Sequence, residues 1–109
     1  MTRDLKPATI AAHAAGAVDL QSAGVVPPIQ PATTFMRDET NALVRPDNIY
    51  SRDDSDTVRI AENVIKKLEQ AEDTLLFPAG MAAIAAVFRT LLAGDTAVIQ
   101  SGIYWGTTK

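Results

Sequence analysis

Three places in the chain bring together residue types suited to chemistry. In Phe77-Pro78-Ala79-Gly80-Met81-Ala82-Ala83, a short apolar run turns through a glycine into a helix-forming stretch. The first N–H groups of such a helix have no partner inside it and stand at the positive end of its dipole, so they suit an anion. Gly80 has no side chain, which lets a phosphate approach the backbone. An ordinary tight strand-to-helix turn is the other reading of these residues. The stretch is not a P-loop, because no Gly-Lys-Ser or Gly-Lys-Thr follows. It also lacks the G-x-G-x-x-G spacing of a dinucleotide fingerprint.

Tyr50-Ser51-Arg52 is the second place. Arginine offers a planar fork of donors that matches phosphate oxygens, and tyrosine adds a hydroxyl. On an extended backbone the Tyr50 and Arg52 side chains share one side. Alternatively, Arg52 pairs with Asp53, Asp54 or Asp56, as surface charges commonly do. The third place is Tyr104, after a run read below as a strand. Its ring suits stacking on a planar cofactor and its phenol suits proton transfer, while a Tyr104-Trp105 pair packed in a core is the plainer account.

The elements that must position these residues divide near residue 54. Before it come Pro7, Pro27, Pro28, Pro31 and Pro46, with scattered apolar groups and room for a helix from about Lys6 to Ala15. So long a stretch with little regular structure reads as an arm, packed on a second subunit or left as a flexible tail. Beyond residue 54, Val58, Ala61, Val64, Ile65 and Leu68 mark one face of an amphipathic helix from about Thr57 to Ala71. Asp54, Ser55 and Asp56 stand ready to cap it, and Glu62 and Lys66 are spaced as a pair. Thr74–Phe77 and Thr96–Gln100 read as strands. Between them Met81–Ala93, with Arg89 as its only charge, reads as a mostly buried helix stopped by Gly94. Strand, helix, strand with short links is a right-handed parallel crossover, and a parallel sheet needs more than two strands and cover on both faces. The expected fold class is therefore α/β, as the first part of a longer protein.

Composition removes several classes. Ten Lys and Arg against thirteen Asp and Glu give a net charge of -3 without a basic tract, which argues against nucleic acid as a partner. With no cysteine and one histidine, a disulfide framework, a thiolate zinc site and a His-rich metal site are excluded. The apolar run Met81–Phe88 is far shorter than the roughly 20 residues of a membrane span. Arg3 and Lys6 ahead of an alanine-rich stretch imitate a signal peptide, but Asp4 and His13 interrupt the pattern, and a cytoplasmic protein is expected.

In order and spacing, these pieces resemble the N-terminal part of the Cys/Met-metabolism family of pyridoxal-phosphate enzymes, the trans-sulfuration family. The resemblance runs from about Val25 to Thr107. Val26-Pro27-Pro28-Ile29-Gln30-Pro31-Ala32-Thr33-Thr34-Phe35 looks like the family's proline-rich arm, and Tyr50-Ser51-Arg52 matches its Tyr-Ser-Arg motif. Leu68-Glu69 looks like its Leu-Glu, and Ala79-Gly80-Met81-Ala82-Ala83-Ile84 like its Ser-Gly-Met-Ala-Ala-Ile turn. Gly94-Asp95 and Tyr104-Trp105-Gly106-Thr107 resemble its Gly-Asp and Tyr-Gly-Gly-Thr.

The resemblance implies the start of a fold-type I (aspartate aminotransferase-like) large domain over residues 55–109, preceded by an N-terminal arm over 1–54. It implies pyridoxal 5'-phosphate as cofactor, an amino-acid substrate, and a homodimer or homotetramer. Gly80 and Met81 would give backbone N–H groups to the cofactor phosphate, Tyr50 and Arg52 would reach that phosphate from a neighbouring subunit, and Tyr104 would stack on the pyridine ring and take part in proton transfer. Within the family the first expectation is a γ-replacement like that of cystathionine γ-synthase. The alternatives are a β- or γ-lyase or a truncated, non-catalytic piece. Ala79 stands in place of a serine, Trp105 in place of a glycine, and Asp53–Thr57 where a stretch ending in Asn-Pro-Thr is usual. Lys66, Lys67 and Lys109 do not match the family's Schiff-base lysine, so these 109 residues alone are expected to be inactive.

Overall fold

The computed structural model of the chain describes residues 5–108. Arg3 and Asp4, weighed above against a signal peptide, and Lys109, weighed as a Schiff-base candidate, lie outside the described residues. The chain forms two compact units, one running up to Leu75 and one beginning at Leu76. The division into arm and domain expected at residue 54 concerns the assembled enzyme and is taken up below as a proposal.

In the first unit, helix α1 spans Pro7–Ala12, with proline at its first position, where a missing N–H costs no bond. A 3-10 turn, Ala14–Gly16, follows through left-handed Ala14 and Ala15. Helix α2 spans Asp56–Leu68. The Ser55 hydroxyl caps it by accepting from the Val58 N–H at 3.4 Å, and Asp56 places negative charge in the first turn. α2 ends before the expected Ala71 because Gln70 turns left-handed, at φ +53, and the Ala71 N–H closes back on the Lys66 carbonyl at 3.0 Å. α1 and the 3-10 turn pack on α2, and Lys67 donates to the carbonyl of Ala15, 3.0 Å away. Ala15 is the one buried hydrophobic residue among those described.

Residues 17–55 are a succession of turns rather than a featureless extension. Asp19 accepts from the Gln21 and Ser22 amides and from the Ser22 hydroxyl, closing a turn bridged by Asp19 and Gly24. Asp38 does the same with Thr40 and Ala42 inside the Arg37–Leu43 bridge. These hydrogen bonds, those from the Ser22 and Thr40 hydroxyls first, hold both carboxyls below the usual carboxylate range. The proline-rich segment is tied down twice. The Gln30 N–H donates to Thr57 Oγ1 at 2.8 Å on the first turn of α2, and Thr34 bridges Tyr50.

In the second unit, helix α3 spans Gly80–Phe88. It stops short of the expected Ala93 because its end tightens. The Thr90 amide and hydroxyl both bond the Val87 carbonyl, and Asp95 Oδ2 takes the Leu92 N–H before Gly94 turns at φ +100. The expectation that this helix is mostly buried is not met: none of its residues is buried and Val87 is 66% exposed. A helix apolar on all sides needs cover from several directions, and the described residues do not supply it.

The two expected strands also differ. Thr74–Phe77 and Thr96–Gln100 form no ladder with any described residue, and Val98 is 95% exposed. A strand exists only through its partners, and an apolar run that would be central in a parallel sheet stays irregular without neighbours on both sides. Among the described residues no helix is long and apolar enough to cross a membrane.

Candidate functional site

Tyr50 is fixed by its bridge to Thr34 and by the Ser51 N–H, which donates to the Thr33 carbonyl at 3.0 Å. The backbone then turns. The Asp53 and Asp54 amides both donate to the Tyr50 carbonyl, at 2.9 and 3.2 Å, so the segment is not extended through Arg52 as its spacing suggested. The turn brings the two side chains together in another way. The Arg52 guanidinium carbon lies 5.0 Å from the centre of the Tyr50 ring, a cation–π contact.

Arg52 makes no ion pair among the described residues. Two of the three acids weighed as its partners are engaged elsewhere, because Asp54 pairs with Arg59, and Asp56 pairs with both Arg45 and Arg59, while the adjacent Asp53 makes no ion pair with Arg52. Arg52 therefore stays exposed and its guanidinium donors stay available.

At the start of α3 the cap residue is Ala79, whose side chain cannot accept a hydrogen bond. The helix begins by pairing the Ala82 and Ala83 amides with the Ala79 carbonyl. The Gly80 and Met81 amides bond to no described residue. A Cβ at Gly80 would meet nothing within 4 Å, so the approach to those amides is open. The same unit holds Tyr104, 58% exposed, which leads into the 3-10 turn Trp105–Thr107, and this turn contacts α3. The Tyr104 and Trp105 rings lie 5.6 Å apart, tilted by 48°. Both are exposed, so the plainer account of a buried aromatic pair does not describe this chain.

One family matches most of the chain: residues 8–109 match the Cys/Met metabolism PLP-dependent enzymes. The chain belongs to that family. It is 29% identical over 97 residues to cystathionine gamma-lyase of Dictyostelium discoideum, covering 89% of this chain and 25% of that protein. It is 33% identical over 88 residues to the Rattus norvegicus cystathionine gamma-lyase, covering 81% and 22%. Against cystathionine beta-lyase MetC of Staphylococcus haemolyticus it is 31% identical over 92 residues, covering 84% and 22%. The chain thus spans no more than about a quarter of the length of these relatives. No solved structure matches it significantly.

The family depends on pyridoxal phosphate, and membership implies fold type I. Each unit holds donors of a kind that suits a phosphate: the Gly80 and Met81 amides at the start of α3 in one, and the exposed Arg52 guanidinium in the other. Lys66 instead pairs with Asp73 at 3.4 Å, and the Lys67 ammonium bonds the Ala15 carbonyl.

One group of residues escaped sequence reasoning. Arg45, Asp47, Asn48, Asp54, Asp56 and Arg59 form a connected polar cluster around the first turn of α2. Arg45 holds Asp56 with two donors, at 2.7 and 2.9 Å, and Asp47 at 3.0 Å. Arg59 donates to Asp54, Asp56, Asn48 and the Asp47 carbonyl. Partial burial works to raise the pKa of the Asp56 carboxyl, but donors from Arg59, Arg45 and Asn48 overcome it and hold the group below its ordinary value. The signal was present as seven charges of both signs between residues 45 and 59, but their spacing along the chain did not show which would meet.

Proposed function

We propose that this chain is the cofactor-placing N-terminal part of a PLP-dependent enzyme of sulfur amino-acid metabolism that breaks a carbon–sulfur bond. The observation that carries the reading is the donor set: an arginine left unpaired beside Tyr50, and a helix start left uncapped at Gly80, within a chain that matches the family over residues 8–109. The bound cofactor takes up electrons from the substrate's α-carbon, so that a group on the β- or γ-carbon can leave.

This chain's residues serve that chemistry by placement. Gly80 and Met81 would donate backbone N–H groups to the phosphate, and Arg52 and the Tyr50 hydroxyl would reach it from a second copy of the chain. Tyr104 would lie over the cofactor ring and hold or move a proton with its phenol. Residues 1–54 would form the arm and residues 55–109 the beginning of the α/β domain, whose parallel strands at Thr74–Phe77 and Thr96–Gln100 would form once their partners are present. The Schiff-base lysine would lie outside these residues, and the enzyme would work in the cytoplasm as a dimer or tetramer. A charge-assisted hydrogen bond contributes about 1.5–3 kcal/mol, so Arg52→Ala should weaken cofactor binding roughly tenfold or more.

The named relatives are γ- and β-lyases, which favours elimination over the γ-replacement of cystathionine γ-synthase expected first. The complete enzyme supplied with cystathionine decides this. Release of 2-oxobutyrate and cysteine marks γ-elimination, and release of pyruvate and homocysteine marks β-elimination. If the enzyme instead only joins cysteine to an activated homoserine, the elimination reading is wrong.

A further inference from the structure

The turn that carries Tyr50 and Arg52 has little apolar support. Ile49, beside Tyr50, is 57% exposed, and Arg52 and Asp53 are exposed as well. Two guanidiniums close on this turn from both ends: Arg45 links Asp47 to Asp56, and Arg59 reaches more of the turn. Before the turn, Arg59 donates to the Asp47 carbonyl at 3.0 Å and to Asn48 Oδ1 at 2.5 Å. After it, Arg59 donates to Asp54 Oδ2 at 2.5 Å and to Asp56 Oδ1 at 2.7 Å. Asn48 is only 3% exposed, and its amide group donates onward to Asp56 at 3.4 Å, which closes the ring. The base of this clamp is α2, a regular helix, so both ends of the turn are referred to one rigid element.

We propose that Arg59 is a positioning residue for the Tyr50–Arg52 pair. It sets the aim of these two side chains toward the cofactor phosphate without touching the cofactor itself. It does so in two ways: it pins residues 47–48 and 54–56 around the first turn of α2, and with Arg45 it occupies Asp54 and Asp56, two of the three nearby acids that could draw Arg52 aside. A guanidinium suits the task because its donors point in fixed, divergent directions in one plane. The three donors of lysine radiate from a single atom and cannot span four acceptors on two sides of a loop. The proposal rests on the phosphate-binding role given to Arg52 above.

The test is a double-mutant cycle in the complete enzyme, read as the dissociation constant of pyridoxal phosphate and not as turnover. Arg59→Gln should weaken cofactor binding about tenfold in the wild-type background. In an Arg52→Ala background the same change should weaken it by less than about twofold, because the group that Arg59 positions is already gone. A merely structural role gives losses that add, and additive losses overturn the proposal, as does unchanged affinity in Arg59→Gln alone. If Arg52→Ala by itself leaves the affinity unchanged, the phosphate role fails and the positioning role falls with it. A loss in Arg52→Ala combined with none in Arg59→Gln rejects the positioning role only.

Hydrogen exchange of the cofactor-free protein gives a second readout. The Asp53 and Asp54 amides, which bond the Tyr50 carbonyl, should exchange faster in Arg59→Gln, and unchanged exchange counts against the clamp. Should Arg59→Gln fail to fold, Arg59→Lys keeps the charge and enters the same cycle. Its expected loss is about threefold and should likewise vanish without Arg52.

Discussion

A Cβ atom placed on Gly106 would lie 2.6 Å from Cε1 of Tyr104, closer than two non-bonded carbons can stand. The Tyr104 ring therefore lies against a backbone position that only glycine leaves free. Gly106→Ala should push the ring aside while disturbing the fold little, because the obstructing atoms belong to an exposed side chain that can swing away. In the complete enzyme the expected result is near-normal thermal stability with weakened cofactor binding. Equal affinity in Gly106→Ala and wild type would show that the ring's present position has no bearing on the cofactor.

Tyr104 itself separates two roles. Tyr104→Phe keeps the ring and removes the phenol. Stacking contributes about 0.5–1.5 kcal/mol and survives this change, so cofactor affinity should stay close to wild type. Turnover should fall by roughly a hundredfold if the phenol carries a proton in a limiting step. Tyr104→Ala should lose affinity as well. Unchanged turnover in the Phe variant would reduce Tyr104 to a stacking residue, and unchanged affinity in the Ala variant would remove that role too.

What could be read from the residues alone was whatever has a local cause. α2 was legible because its apolar period and its Ser55 cap lie within the segment itself, and the family motifs were legible because each is a short string. The ends of α2 and α3 were not, since a left-handed Gln70 and the back-bonded Thr90 follow from competition among hydrogen bonds that no period displays. The strands failed for a different reason. Val98 and Ile99 have the right composition, but a ladder depends on residues far away in sequence. Arg59 was missed because its acceptors, Asp47 to Asp56, gather around it only after the chain turns between Asn48 and Asp54.

The polar cluster should make the first turn of α2 sensitive to acid. Asp56 has a folded pKa below its unfolded value, so its contribution is fully present above the ordinary carboxylate pKa of about 4 and is lost as pH falls through the lower folded value. Raising the pH above neutrality changes nothing in this pair, because Arg45 and Arg59, whose pKa values the cluster raises, remain charged. Protection of the Val58 and Arg59 amides against hydrogen exchange, taken relative to the intrinsic rate at each pH, should fall as acid is added. Asp56→Asn should exchange faster already at neutral pH and respond less to acid. An unchanged acid response in that variant would place the sensitivity in another group.

As an isolated polypeptide, residues 1–109 should unfold without a sharp transition. Their buried apolar core among the described residues is Ala15 alone, while Leu20, Ile29, Leu92 and Val98 are each more than three-quarters exposed. Cooperative unfolding needs a shared core, and exposed apolar patches of this kind drive association. Calorimetry on the 109-residue piece should show a broad or absent transition and sedimentation should show aggregates. A single sharp transition from a monomer would mean that the piece holds itself together in a way this arrangement does not explain.

The last prediction concerns which copy of the chain Tyr50 and Arg52 serve. Their turn belongs to the unit up to Leu75, whereas Gly80, Met81 and Tyr104 belong to the unit that begins at Leu76. If the first group acts on the neighbouring subunit's cofactor, then at a cofactor concentration too low to fill the Arg52→Ala site two impaired proteins can repair each other. One parent carries Arg52→Ala, and the other lacks the Schiff-base lysine. In a mixed dimer, the site that keeps its lysine receives an intact Arg52 from the other copy, while the second site lacks both groups. Random mixing puts half of the dimers in the mixed state, each with one good site of two, so activity should recover to about a quarter of wild type. If Arg52 serves its own subunit, no site in the mixture holds both groups, and activity stays at the average of the parents. The mixture must be unfolded and refolded together so that subunits exchange, and sedimentation should confirm that dimers re-form before any absence of recovery is read as evidence against action between subunits.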